Sequence, residues 1–323
     1  MKVVITGIRS SLARRVAVLL RDKGYKVMGF ARKKGESIEG VEILQGDIRC
    51  RESVFDLLNG ADGVIHCAAL SSPWGKYDAF YETNARGTGH LLDAALYYGM
   101  RKFIHVSTPS LYYNFQDRWN LTEESRFAKR FANHYVQTKF LSEKFVDDYG
   151  KSGLHCVTIR PRGIFGPGDQ VLLPRLIKAL KKGGIPRFKK EGIWVDITYV
   201  DNAAESLVLA LEKGKKGAKY NITNGEPWEL YTLFSTLAKF AGLEMKIKEV
   251  PYGLSMTLAR GAEWFSKITK KEPIFTPYTI GVLAHSQTYN INKAMNELGY
   301  LPKISIEEGL KRYGNWWCEG QSL

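Results

Sequence analysis

Short β-branched runs alternate with stretches whose apolar residues recur every three to four positions, and this alternation fills the first half of the chain. Val3 to Thr6 reads as a first strand; Leu12, Val16, Leu19 and Leu20 then fall at helical spacing until Gly24 stops them. Lys26 to Ala31 reads as a second strand and Glu42 to Leu44 as a short third. A helix near Glu52 to Leu58 leads to a fourth strand, Gly63 to Cys67, and a long helix around Asn84 to Tyr97 leads to a fifth, Lys102 to Ser107. Tyr135 to Asp148 reads as helix and His155 to Arg160 as a sixth strand, after which a Gly/Pro-rich turn is expected to end the sheet. Strands that alternate with helices make a parallel sheet covered on both faces, so the pattern predicts an α/β fold with a doubly wound parallel sheet.

Composition narrows the setting. A chain of 323 residues exceeds what one ordinary core needs, and 44% hydrophobic with 25% charged residues is a globular balance. No stretch approaches the roughly 18 uncharged apolar residues of a membrane span. Met1-Lys2 runs straight into the first strand, so no secretory leader is read and a cytoplasmic location is expected. Cys50, Cys67, Cys156 and Cys318 lie far apart without C-x-x-C spacing, which predicts ordinary buried thiols and no metal site. Lys and Arg number 47 against 33 Asp and Glu, a net charge of +14 that favours anionic partners. The clusters Lys178, Lys181, Lys182, Lys189, Lys190 and Lys213, Lys215, Lys216, Lys219 read as solvated surface, and no recognition motif points to nucleic acid. Leu254, Leu258, Ala262 and Phe265 share a helical face within Leu254 to Lys271, for which packing on the substrate cleft or on a dimer partner is expected, with membrane-surface contact the lesser alternative.

The chemistry concentrates where strands end. Thr6-Gly7-Ile8-Arg9-Ser10-Ser11-Leu12-Ala13 joins the first strand to the first helix, where backbone N–H groups and the helix dipole can hold a pyrophosphate. Gly7 stands where such a turn needs glycine, while Ser10 and Ala13 occupy the other two glycine spacings. Ala31-Arg32-Lys33-Lys34 follows the second strand, and arginine there suits a 2′-phosphate, so NADP(H) is favoured over NAD(H), with Arg32 the main contact and Arg9 a second. Asp47 and Ile48 after the third strand are placed beside the adenine, and Ala68 and Ala69 after the fourth give small residues beside the cofactor. Three Tyr-x-x-x-Lys pairs occur, Tyr98/Lys102, Tyr135/Lys139 and Tyr289/Lys293; only Tyr135 opens a helix beyond the fifth strand, at the carboxyl edge where a nicotinamide lies. One helical turn apart, Lys139 is expected to lower the Tyr135 phenol from about 10. Ser107, Thr108 and Ser110 bring hydroxyls to the same edge.

These residues, with His66 to Ala69, Asn84, Gly87-Thr88, Arg160 to Asp169 and Tyr199-Val200-Asp201-Asn202, resemble the extended short-chain dehydrogenase/reductase family, the NAD(P)-dependent epimerase/dehydratase group, over nearly the whole chain. Ser107-Thr108-Pro109-Ser110 and the Pro-Arg-Gly after Arg160 look most similar to the 3β-hydroxysteroid dehydrogenase-like branch. The resemblance implies a Rossmann-type domain over residues 1–165 and a smaller mixed α/β substrate-binding region over 166–323, with a segment around 196–212 returning to the first. It implies Tyr135 as acid/base, Lys139 on the nicotinamide ribose, Thr108 in the Ser/Thr place with Ser107 behind it, and cofactor contacts at Ser11, Leu12, Asn84, Pro161 and Arg162. It also implies a small-molecule substrate and a homodimer through the Tyr135 and Asn84 helices. The expected activity is hydride transfer between a nicotinamide and a secondary alcohol or ketone. Two alternatives stay open here: a nucleotide-sugar epimerase or dehydratase whose diphosphate meets Arg162, Arg175 and Arg187, and a non-catalytic dinucleotide-binding scaffold suggested by the glycine-poor turn.

Overall fold

The computed structural model describes residues 1–33, 37–181, 184–188, 192–270, 272–273 and 275–320, with Lys267 described in its backbone only. Lys34, Lys182, Lys189, Lys190 and Lys271 lie outside these residues.

Seven parallel strands form the central sheet: β1 (Lys2–Thr6), β2 (Lys26–Ala31), β3 (Glu42–Gln45), β4 (Gly63–His66), β5 (Lys102–Val106), β6 (Cys156–Pro161) and β7 (Lys219–Ile222). Their order is β7-β6-β5-β4-β1-β2-β3, so the winding reverses between β1 and β4 and opens a crevice at the carboxyl ends of those two strands. Six strands stand where the alternating pattern placed them. The seventh corrects the expectation that the sheet ends at strand six: Lys219 to Ile222 pairs with Thr158 to Pro161 after more than fifty intervening residues.

Side chains of successive strand residues point to opposite faces, and the core divides accordingly. Val3, Ile5, Ile65, Ile104, Val157 and Ile159 pack with α1 (Ser11–Asp22) on one face, whereas Val4, Val64, Phe103 and Cys156 pack with α2 (Arg51–Leu58) and α3 (Gly87–Tyr97) on the other. The helix α4 (His134–Lys151) joins the second face through Val146. The first face is completed by α5 (Val200–Lys213), which lies against α1 and buries Val200, Ala203, Leu207, Val208 and Leu211 in the same cluster. Burying each such aliphatic side chain contributes about 1.5–3 kcal/mol.

Outside the main sheet, Trp228–Glu229, Trp194–Val195, Gln287–Tyr289 and Arg118–Leu121 form a mixed four-stranded sheet. The helix α6 (Tyr252–Thr269) buries Met256 and Ala259 against Ile280, so its Leu254, Leu258 and Phe265 face does not pack on the cleft; these side chains are more than half exposed. Among the described residues no helix is long and apolar enough to cross a membrane. None of the four cysteines forms a disulfide, but Cys50 and Cys318 are exposed, because neither lies on a strand or on a buried helical face; of the four, Cys156 is the one fully buried.

Candidate active site

The crevice is built first by the turn between β1 and α1. Gly7 has φ 73°, and a Cβ on it would lie 2.9 Å from the backbone of Ala68, so the turn requires glycine for conformation and for space. Ser10 caps α1, its Oγ accepting the Ala13 N–H at 3.2 Å, while Ala13 is wholly buried. The two departures from glycine therefore make a capped helix N-terminus whose first N–H groups, at Ser11 and Leu12, face the crevice end of the sheet. Gly168 also approaches here, since a Cβ on it would stand 3.2 Å from the Ser11 Cβ. This cradle, which any side chain at Gly7 would fill, fits a dinucleotide pyrophosphate.

The other cofactor candidates are distributed around it. Arg9, Arg32, Lys33 and Ala69 are exposed, and Ile48 and Pro161 are buried. Asp47 is engaged by Arg49, whose guanidinium donates to it at 2.6 and 3.0 Å and holds the carboxyl below its ordinary range. Asn84 is wholly buried and clamps the loop after β4, accepting the Leu70 N–H at 2.7 Å and donating to the Leu70 carbonyl at 3.0 Å. Asn84 also reaches Thr138 on α4 at 3.2 Å. Beneath the loop, His66 bridges Thr6 at 2.8 Å and Thr88 at 2.9 Å, and burial pushes its ring down to about 3, so it is neutral at working pH. These uncharged hydrogen bonds tie β1, β4, α3 and α4 together under the crevice.

Tyr135 stands in the first turn of α4, which Asn133 caps by accepting the Val136 N–H at 2.9 Å. Burial pushes the phenol up to about 12, Tyr278 adds to the rise, and the hydroxyls of Ser71 and Thr108 oppose it. Lys139 is 2% exposed and donates to the Val106 carbonyl at 2.7 Å, with His105 Nε2 at 3.4 Å. Burial brings its ammonium down to about 8, against the pull of Glu143. The expected lowering of Tyr135 by Lys139 is therefore corrected: the ammonium is directed to the end of β5, and it is Ser71 and Thr108 that favour the phenolate. Neither other Tyr-x-x-x-Lys pair shares a helix, because Tyr98 caps α3 while Lys102 opens β5, and Tyr289 lies in a strand while Lys293 lies in the helix after it.

Thr108 caps a short 3₁₀ turn, Pro109–Tyr112, which presents Ser110 Oγ 3.1 Å from Thr108 Oγ1 and 3.1 Å from the Tyr278 hydroxyl. Arg162 is buried beside Ser110 at 3.5 Å. Arg175, in contrast, is an exposed ion pair with Glu272, and Arg187 lies over the Tyr231 ring at 5.0 Å, so the three arginines expected at a diphosphate have separate surroundings. Sequence reasoning missed Ser71, which follows the small residues after β4, and Tyr278, which reaches the site from a helix at 277–282. Position after a strand end could have found Ser71; nothing local marks Tyr278.

A crevice at the winding reversal, a glycine-dependent phosphate cradle and a tyrosine-lysine helix turn define a Rossmann-type enzyme of the extended short-chain dehydrogenase/reductase class. The chain belongs to the NAD dependent epimerase/dehydratase family, whose model matches residues 3–223. It is 31% identical to a 2-alkyl-3-oxoalkanoate reductase of Shewanella oneidensis, over 95% of this chain and 84% of that one. It is 28% identical to the decarboxylating sterol-4-alpha-carboxylate 3-dehydrogenase of Mus musculus, over 96% of this chain and 89% of that one. Among solved structures, a UDP-glucose 4-epimerase of Thermotoga maritima shares the fold at a TM-score of 0.79 and 21% identity, covering 99% of this chain and all of that one.

Proposed function

We propose that this protein is an NADP(H)-preferring oxidoreductase that moves a hydride between the nicotinamide and the C3 oxygen-bearing carbon of a 3-hydroxy or 3-oxo acid. The observation that carries the reading is the Tyr135 phenol facing Thr108 and Ser71 at the carboxyl edge of the sheet. The substrate class is supported by the relatives, whose names place a carboxylate two carbons from the reacting centre: on C1 of a 3-oxoalkanoate, and on C4 of a sterol that is oxidised at C3.

The dinucleotide, when bound, supplies or accepts the hydride. Gly7, Ser10, Ser11 and Leu12 hold its pyrophosphate, Arg32 with Arg9 its 2′-phosphate, and Lys139 its nicotinamide ribose. Asp47, Ile48, Ala68, Ala69, Asn84 and Pro161 line its course. During reduction Tyr135 gives its phenolic proton to the substrate oxygen as hydride reaches the carbon; the phenolate left behind is held by Thr108 and Ser71 and regains a proton from water. Oxidation runs the same transfers backwards. Residues 1–165 serve the cofactor and 166–323 mainly the substrate, and a cytoplasmic homodimer through α3 and α4 belongs to the same proposal.

The test is a fluorescence titration of cofactor-stripped protein with NADPH and NADH side by side, for the wild type and Arg32→Ala. Tighter NADPH binding that Arg32→Ala abolishes supports the assignment. Equal affinities in the wild type overturn the NADP(H) preference, and binding of neither overturns the oxidoreductase reading.

A further inference from the structure

Two arginines stand two residues apart at the end of β6, and their charges are balanced differently. Arg160 is met by Glu143 at 2.6 and 2.9 Å, a closed pair in the core. Arg162 is also buried, 9% exposed, yet among the described residues no carboxylate forms an ion pair with it. Its neighbours are hydroxyls and rings: Ser110 Oγ at 3.5 Å, a hydrogen bond to Tyr278, and the Tyr289 ring centre at 6.0 Å. Asp196 feels its charge, but its Oδ2 accepts the Tyr289 N–H at 2.7 Å.

A buried guanidinium that no carboxylate meets in a direct ion pair is costly, and a ligand anion in contact with it offsets that cost. The backbone of Arg162 is held in place on both sides, for its N–H donates to the Ile222 carbonyl at 2.9 Å and its own carbonyl accepts from Thr198 Oγ1 at 2.6 Å. The side chain is also joined to the reacting centre. Ser110 Oγ, which Arg162 touches, is 3.1 Å from both Thr108 Oγ1 and the Tyr278 hydroxyl, and Thr108 and Tyr278 both act on the Tyr135 phenol.

We propose that Arg162 receives the carboxylate of the substrate and thereby selects a 3-hydroxy or 3-oxo acid with its C3 oxygen set between Thr108 and Tyr135. In such an acid only C2 separates the carboxyl carbon from C3, a short separation that matches the single side chain, Ser110, standing between Arg162 and Thr108. The planar fork of arginine takes a carboxylate through two parallel hydrogen bonds, which orients C3 as well as binding it. This assignment rests on the oxidoreductase reading and adds the residue that reads the acid group.

The experiment compares 3-hydroxydecanoic acid with its methyl ester as substrates for wild type, Arg162→Gln and Arg162→Lys, following nicotinamide absorbance with NADP⁺ and NAD⁺. The wild type is expected to favour the acid by about 100-fold in kcat/KM, the discrimination of a charge-assisted bidentate contact of some 3 kcal/mol. Arg162→Gln brings that ratio close to one, mainly through KM for the acid, and Arg162→Lys restores part of it. Acid and ester used equally by the wild type, or a ratio unchanged in Arg162→Gln, overturns the role of Arg162 while leaving the oxidoreductase intact. Turnover of neither compound defeats the oxidoreductase reading, and decanoate then decides the carboxylate site: thermal stabilisation of the wild type that Arg162→Gln lacks upholds it, and no stabilisation overturns it. Circular dichroism and the ester activity of each variant separate misfolding from lost recognition.

Discussion

In the proposed reaction Tyr135 gives up its proton in one direction and takes one in the other, and its surroundings set which direction is pH-sensitive. With burial holding the phenol up at about 12, it is protonated throughout the neutral range and ready for reduction. Reduction is therefore expected to be level between about pH 6 and 8, while oxidation, which needs the phenolate, rises up to tenfold per pH unit below the pKa of the complex. Tyr135→Phe should lower kcat in both directions by roughly 10²–10⁴ and leave NADPH affinity unchanged; a loss below tenfold overturns the acid/base role. Lys139 adds a stability effect of known sign. Burial brings it from 10.5 to about 8 in the folded chain, so unfolding takes up a proton between those values and stability rises with pH across that window. Urea midpoints of wild type and Lys139→Met, measured from pH 7 to 11, should converge as pH rises; parallel curves would show an ordinary ammonium. The Tyr135 spacing was legible in sequence because helix geometry alone fixes it. The direction of the Lys139 ammonium was not, because it depends on a carbonyl at the end of another strand.

The elements repeat that division between local and distant causes. β1, α1, β2 and β4 could be read directly, since period-2 and period-3.6 patterns express which face is buried. β7 could not: Lys-Tyr-Asn-Ile has little pattern of its own, and its place is decided by pairing with β6 more than fifty residues earlier. The long helix expected around Asn84 to Tyr97 is a π-helical turn, Tyr81–Arg86, running into α3, and it brings Asn84 onto the Leu70 loop. The contact between α4 and β6 shows the same dependence, through Arg160 and Glu143, both at most 2% exposed. Burial pushes the Glu143 carboxyl up, but Arg160 and Lys219 more than offset it, so it titrates below its ordinary value. The pair contributes its stability above the unfolded carboxylate pKa and loses it as pH falls through the lower folded one. Arg160→Met should cost about 3–5 kcal/mol in urea unfolding, because a buried carboxylate loses its direct partner and keeps the more distant Lys219 and the pull of Lys139; Arg160→Met/Glu143→Leu should recover most of it. A double variant no more stable than the single one would contradict this account.

At the scale of the whole molecule, the sheet is closed by segments that the chain delivers late. α5 and β7 come from 200–213 and 219–222, and α5 covers the α1 face of the sheet. A fragment of residues 1–165 is therefore expected to lack a cooperative thermal transition and to bind a hydrophobic dye, whereas full-length protein melts in one step; a cooperative fragment would show that the first six strands suffice. The same late return has a consequence during synthesis. At about 5–20 residues per second, roughly 3–11 s separate the making of residue 165 from that of residue 222. For that interval each nascent chain presents an uncovered apolar face beside a finished set of strands, and cellular chaperones have a defined window in which to shield it.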